Sequence, residues 1–390
     1  MQLGTDRLLT HEKYLLKGKR VGLLGHQASS DSRGRPLLNL LCKSRDWKVT
    51  TLFGPEHGFG TVAQDMEPVA SGKEASTWLP IHSLYGHTEA ALKPTPEMLE
   101  NIDVLVVDLQ DIGSRYYTYI WTLSLCMQAC GAAGKKVIVC DRPNPINGVD
   151  VEGEVNQPGF SSFVGLYPIP ARHGMTIGEL AGFLNKTFSF GCDLKIVAME
   201  GWRREWFWNE TGLQWINPSP NMRSPTQALL YPGMCLLEAT NVSEGRGTDA
   251  PFEFAGAPWV DNEKLISLLE ELSLTGIRFE PIRFTPNRQK WEGQLCHGVK
   301  CIVTDRTCFK PYRTGVAFIW ALYQLFCDLG FSWRKQSYEF VSDIPAIDLL
   351  TGSAVVRQSI EKKNSFDQLS TLLDSVPEQF LRDRASHLLY

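Results

Sequence analysis

Four short stretches of this 390-residue chain are apolar with little polar interruption, and they constrain the fold more than any other feature. They are RVGLLG (20–25), VTTLFG (49–54), VLVVDL (104–109) and KKVIVCD (135–141). A strand with one face in water alternates apolar and polar side chains; strands that do not alternate are covered on both faces. Segments of helical type at 36–43, 96–101 and 116–133 separate the four runs. Strand alternating with helix predicts a parallel, doubly wound sheet with helices on both sides. One further unit follows. MTIGELAGFLNKTF (175–188) reads as a helix with Thr176 as N-cap and Glu179 at the capping-box position, Gly191 lies near its end, and DLKIVAM (193–199) reads as a strand.

The character changes downstream. Residues 200–258 carry Trp202, Trp206, Trp208 and Trp215 among prolines and glycines, and read as a loop-dominated region over the sheet edge. From 259 an amphipathic helix (DNEKLISLLEELSLTG), two strands (RFEPIRFTP and GVKCIVTD), a buried helix (GVAFIWALYQLFCDLG) and a polar helical tail from about 345 predict a second, smaller α/β domain. The expected division is 1–258 and 259–390, which agrees with a length sufficient for two domains.

Charge and cysteine usage exclude several functions. Thirty-nine basic against 43 acidic residues leave a net charge of −4, too low for a broad basic surface that binds nucleic acid or anionic lipid. The start of the chain is punctuated by charges and has no secretory apolar core, so the expected location is the cytoplasm. Tyr116–Gly134 is uncharged over 19 residues, but its threonines, serine, glutamine and glycines predict a buried crossover helix rather than a membrane span. The ten cysteines form no CxxC pair and read as reduced thiols. Cys296, His297, Cys301 and Cys308 match no zinc spacing, so no metal is expected.

In parallel sheets, ligands meet the loops at the carboxyl ends of the strands. Here those ends carry His26 and Gln27; Glu56 and His57; Asp108, Asp111, Arg115, Tyr116 and Tyr117; and Asp141 and Arg142. Later polar loops add Arg172 and His173, Asn221, and Glu244 and Arg246. No GxGxxG follows the first strand, no GxxxxGK[ST] occurs, and no GxSxG elbow exists, so nucleotide cofactors and a serine nucleophile are disfavoured. The remaining inventory of carboxylates, imidazoles, guanidiniums and phenols suits acid/base work on a polar anionic substrate with sugar rings. Glu56 sits in GPEHGF, where Pro55 stiffens the entry and Gly58 permits a tight turn. It is either a turn cap or a general acid or base beside His57. Asp111 either caps the next helix or serves the site. Asp141 either pairs locally with Arg142 or faces ligand. Glu244 and Arg246 either bind ligand or pair with each other.

Taken in order, GPEHGF, DLQDIGSRYYTY, DRPNPI, RHGMTIGELA, SPNM, LEATNVSEGRGT, PFE and GAPW resemble the exo-β-N-acetylmuramidases of the NamZ type. The resemblance runs from about residue 13 to about residue 315. It implies a Rossmann-like domain joined to a smaller α/β domain with the active site in the cleft between them. It implies release of N-acetylmuramic acid from the non-reducing end of peptidoglycan fragments by hydrolysis of its β-1,4 bond, without a cofactor. The glutamate of GPEHG is the family's proposed acid/base, which here is Glu56. Two positions depart from the family pattern: Gly60 stands where the family continues with arginine, and the first strand leads into Gly25, His26 and Gln27 rather than Thr-Asn-Gln.

The chemistry implied by the resemblance is coherent with the residues. A glycosidic oxygen leaves poorly without a proton, and a carboxylic acid in a partly apolar pocket can supply one. The lactyl carboxylate of muramic acid calls for a guanidinium, with Arg115, Arg172 and Arg246 as candidates. The expected partner is a small carbohydrate, a muropeptide or a MurNAc-GlcNAc fragment, in cell-wall recycling. Sequence leaves the oligomeric state open. A non-catalytic muropeptide-binding paralogue is the alternative, and a Rossmann-type nucleotide enzyme a third reading from fold analogy alone.

Overall fold

The computed structural model of the protein describes residues 1–373 and 378–390. Ten strands are formed: β1 (Arg20–Gly25), β2 (Lys48–Gly54), β3 (Gly72–Lys73), β4 (Pro80–Ser83), β5 (Val104–Asp108), β6 (Lys136–Cys140), β7 (Leu194–Val197), β8 (Phe254–Ala257), β9 (Ile277–Phe284) and β10 (Cys296–Val303). Seven make one sheet in the order β3-β4-β2-β1-β5-β6-β7, and three make a second in the order β8-β10-β9.

The large sheet is parallel throughout except for the two-residue edge strand β3. Its centre is the product of the apolar runs. All five residues of β5 are buried, as are five of the six in β1, and Leu23 aligns with Val106 and Leu24 with Val107 across the pair. The chain winds outward from β1 in both directions, toward β2 and β4 on one side and β5, β6 and β7 on the other. The crevice of such a sheet lies where the winding reverses, outside the carboxyl ends of the strands.

The buried helix Tyr119–Ala132 forms the crossover between β5 and β6. Among the described residues no helix is long and apolar enough to cross a membrane. The helix Ile177–Thr187 starts as the sequence predicts: the Thr176 hydroxyl accepts from the Glu179 N–H at 3.2 Å, and the Glu179 carboxylate accepts from the Thr176 N–H at 3.0 Å.

Residues 200–258, expected to be loop-dominated, also hold regular elements. They include the helix Pro225–Met234, begun by a Ser224 cap and Pro225, and the strand β8. The second sheet is antiparallel and draws β8 from ahead of residue 258 and β9 and β10 from beyond it. The helix Pro311–Phe326 lies against Pro225–Met234 at backbone distance. A Cβ on Gly315 would stand 2.2 Å from the Gly233 carbonyl oxygen, so this crossing admits only glycine. One continuous apolar cluster runs from Leu105 and Ile120 through Leu230 and Met234 to Phe318 and Leu349.

Candidate active site

A small cavity opens beyond the ends of β2 and β5, lined also by residues from the chain's second half. It is lined by Glu56, His57, Asp65, Tyr116, Tyr117, Thr118, Val164, Ser219, Asn221, Met222, Tyr231, Glu238, Arg246, Phe252, Tyr338 and Glu339. Six of the residues singled out from the sequence meet here: Glu56, His57, Tyr116, Tyr117, Asn221 and Arg246.

Local geometry fixes Glu56. The turn after β2 is closed by the Gly58 N–H donating to the Pro55 carbonyl at 2.9 Å, and His57 and Gly58 both take left-handed φ, 69° and 79°. Gly54 lets the returning chain pass: a Cβ there would lie 2.6 Å from the Phe59 nitrogen. The carboxylate so presented is buried and accepts on both oxygens, from the Thr118 hydroxyl at 2.6 Å and the Met66 N–H at 3.1 Å. His57 Nδ1 stands 2.9 Å from the Ala63 carbonyl oxygen. A carbonyl can only accept, so Nδ1 carries a proton and donates it there.

Arg246 is the guanidinium of the cavity wall. It pairs with Asp65 at 2.8 Å, with Glu244 at 3.2 Å and with Glu238, and it covers the face of Phe252 at 5.0 Å. Burial opposes its charge, but Asp65, Glu238 and Glu244 more than offset that and hold its pKa above the usual guanidinium range. Glu244 itself stands behind the wall, tied also to Lys290 at 2.8 Å. Asn221 donates to Gln64 Oε1 at 3.0 Å, and the Tyr116 hydroxyl donates to the Pro232 carbonyl at 3.0 Å.

The other expected ligand residues hold the scaffold instead. Arg115 is fully buried and donates to three carbonyls, those of Glu154 (2.9 Å), Ile169 (2.8 Å) and Leu350 (2.5 Å). Arg172, equally buried, binds Glu152 at 2.9 Å, Asp150 at 3.0 Å and the Ile146 carbonyl at 2.6 Å. Neither reaches the cavity, which removes both from the set proposed to meet a substrate carboxylate. Asp108 and Arg142 form a buried bidentate pair at 2.5 and 3.1 Å, and Arg142 with Gln110 borders a separate cavity near Ser30 and Trp208. Asp111 caps the Gly113 N–H at 2.7 Å and faces His173 at 3.3 Å. Asp141, the local-pair candidate, instead accepts from Gly178, Thr176 and Tyr390. His26 is a strut: Nε2 accepts from the Gln110 N–H at 3.0 Å and Nδ1 faces the Pro218 carbonyl at 3.2 Å. Burial, with Arg142 adding to it, pushes its pKa down to about 3. Gln27 is exposed, and its N–H is bound to the Thr61 hydroxyl.

Sequence reasoning missed Asp65, Thr118, Tyr231, Glu238, Tyr338 and Glu339. Thr118 lies in the DLQDIGSRYYTY segment and Glu238 in LEATNVSEGRGT, so both were within motifs already quoted. Glu339 and Tyr338 carried no signal. They sit on a two-residue hairpin turn in which Tyr338 and Val341 exchange both backbone hydrogen bonds at 2.9 Å, with left-handed φ of 45° at Glu339 and 69° at Phe340. Such turns ordinarily use Asn-Gly, and a non-glycine residue held this way costs about 1–3 kcal/mol. Among the described residues no group of three or more His, Cys, Asp or Glu is placed to hold a metal ion.

Comparison with known proteins decides the family. Residues 21–226 match the N-terminal domain model of the exo-β-N-acetylmuramidase NamZ, and residues 229–390 match the C-terminal one. The chain belongs to the NamZ exo-β-N-acetylmuramidase family. It is 42% identical over 390 residues to the peptidoglycan β-N-acetylmuramidase NamZ of Bacillus subtilis (strain 168), covering all of this chain and 91% of that one. Two crystal structures of DUF1343 family proteins from Bacteroides fragilis NCTC 9343 superpose on it, each covering 100% of this chain and 98% of the other. One has a TM-score of 0.89 at 33% identity, the other 0.75 at 27%. In NamZ terms, the cavity lies where residues matched by both models meet, with Glu56 from the first and Glu238, Arg246, Tyr338 and Glu339 from the second.

Proposed function

We propose that the protein is a glycoside hydrolase that removes N-acetylmuramic acid from the non-reducing end of peptidoglycan fragments by hydrolysing its β-1,4 bond. The observation that carries this reading is Glu56. It is a buried carboxylate at the carboxyl end of a parallel strand, held as an acceptor on both oxygens, and it opens into a cavity of carboxylates and aromatic rings. An exo mode suits a small cavity that residues from the chain's second half, Glu238, Arg246, Tyr338 and Glu339, line together with Glu56. The substrates we assign are soluble muropeptides or MurNAc-GlcNAc fragments, consumed in a cytoplasmic step of cell-wall recycling.

Muramic acid differs from N-acetylglucosamine by a lactyl carboxylate. With Arg115 and Arg172 committed to the scaffold, Arg246 is the guanidinium left on the cavity wall to meet it. Three of its five N–H groups face acidic partners, which leaves two. A charge-assisted hydrogen bond is worth about 1.5–3 kcal/mol, about 10–150-fold in specificity. Chromogenic β-glycosides of N-acetylmuramic acid should therefore be cleaved at least about tenfold better, in kcat/KM, than those of N-acetylglucosamine. A ratio near one would overturn muramic acid selectivity, and cleavage of neither would overturn hydrolysis.

A further inference from the structure

A second glutamate faces the same cavity as Glu56. Glu339 is 5% exposed and projects from the strained two-residue turn described above, 283 residues beyond Glu56 in sequence. Phe340, the other residue of that turn, sets its ring edge-on to Tyr85 with centroids 5.9 Å apart. The Tyr85 hydroxyl donates to the Glu339 carboxyl, 3.1 and 3.3 Å from its two oxygens. Glu339 enters no ion pair among the described residues. The Arg246 guanidinium on the same wall is engaged by Asp65, Glu238 and Glu244, and the Tyr338 hydroxyl donates to Glu238 at 2.7 Å.

A carboxyl with few donors and several acidic neighbours is in the condition of a proton carrier. Burial, then the nearby Glu56, then Glu238 and Asp65, push the Glu339 pKa well above the carboxylate range, while the Tyr85 hydroxyl pulls it the other way. Glu56 is bonded differently, with a hydrogen bond accepted on each oxygen. The pair therefore places two differently bonded carboxyl groups in one cavity, the equipment that glycoside hydrolysis uses.

Resting on the hydrolase reading above, we propose that Glu339 is the proton donor of the reaction and Glu56 its partner carboxylate. Glu339 gives its carboxyl proton to the glycosidic oxygen as the bond from that oxygen to the sugar C1 breaks, and the electron pair leaves with the oxygen. A water oxygen bonds to C1, and the single proton that this water sheds is accepted by Glu56 and returned to Glu339, which restores both groups. The strained turn is then the device that brings a carboxyl from the chain's second half to the cavity where the loop after β2 places Glu56.

The test compares two leaving groups. Glu339→Gln should lose about 10²–10⁴-fold in kcat/KM on the MurNAc-GlcNAc disaccharide, whose leaving oxygen needs a proton. It should lose at least tenfold less on the dinitrophenyl glycoside of N-acetylmuramic acid, whose leaving group departs as an anion. Its pH profile should also lose the basic limb. Tyr85→Phe keeps the acid and removes a donor that favours the charged form, so that variant's basic limb should move to higher pH. Equal losses on both substrates, no loss, or a basic limb unmoved by Tyr85→Phe would overturn the assignment while leaving the hydrolase reading intact. A wild-type protein that cleaves neither glycoside would overturn that reading, and this one with it.

Discussion

Glu56 and His26 were both legible as polar residues at strand ends, yet they do different work, and two measurements separate them. Glu56→Gln keeps the shape and one acceptor oxygen while removing the titratable group. Turnover should fall by about 10²-fold or more on every glycoside tested, with little change in melting temperature; near-wild-type turnover would remove Glu56 from the mechanism. His26 acts on stability. Its folded pKa lies at about 3, below the ordinary 6.5, so between those values the unfolded chain binds more protons than the folded one. Its contribution is fully present above about pH 6.5 and is lost as the pH falls toward about 3. Melting temperature plotted from pH 7 to pH 4 should fall more steeply for wild type than for His26→Asn, even though the variant starts lower; parallel curves would show that another group governs acid sensitivity. The residue scale is also where sequence misled most. Arg115 and Arg172 stand beside polar motifs just as a ligand residue does, and nothing local shows that Arg115 serves a carbonyl as distant as that of Leu350 or that Arg172 is taken up by Glu152 and Asp150.

Elements were read more accurately than single side chains, for a physical reason. An apolar run records what covers a strand, and that is a local property of the sequence. The predicted run 20–25 coincides with β1, and those at 49–54, 104–109 and 135–141 fall within about a residue of β2, β5 and β6. The short strands β3, β4 and β8 escaped because their two to four residues lack the aliphatic run that marked the equally short β7. The hairpin that bears Glu339 escaped for a related reason: Tyr338–Val341 contains no glycine or asparagine to mark its turn. Turn geometry matters most after β2. Gly54→Ala would drive a Cβ to within 2.6 Å of the Phe59 nitrogen, so the loop bearing Glu56 and His57 must shift. The expected cost is about 1–3 kcal/mol of stability. Because a displacement of about 1 Å at a catalytic group can cost 10²-fold, kcat should fall by more than the stability loss implies. A variant with lowered melting temperature but unchanged kcat would show that the loop relaxes without moving Glu56.

At the scale of the whole molecule, the cavity exists only because two distant parts of the chain are held in register, and Arg115 is one of the residues that holds them. It lies in the loop after β5 and reaches the carbonyls of Glu154, Ile169 and Leu350, joining the strand-end loops to the C-terminal helices. Burial lowers its pKa, and among ionisable groups only Tyr116 and Tyr312 act to raise it. The three carbonyls are thus its principal compensation, and the dependence is mutual. Arg115→Ala would leave three buried acceptors without a donor, at about 1–3 kcal/mol each when unsatisfied. The total belongs with the largest single-residue losses, about 4–5 kcal/mol or more, and should lower the melting temperature by on the order of 10 °C. Arg115→Lys should restore little of it, because a single ammonium cannot reproduce the planar fork that spans carbonyls from three segments. Since the side chain does not reach the cavity, the ratio of kcat/KM for N-acetylmuramic acid over N-acetylglucosamine glycosides should stay at its wild-type value in whatever fraction remains folded. A variant with wild-type stability and a collapsed ratio would return Arg115 to the substrate site. The opposite pair of results would make it a staple whose removal loosens the approach of Glu339 to Glu56 only by loosening the whole.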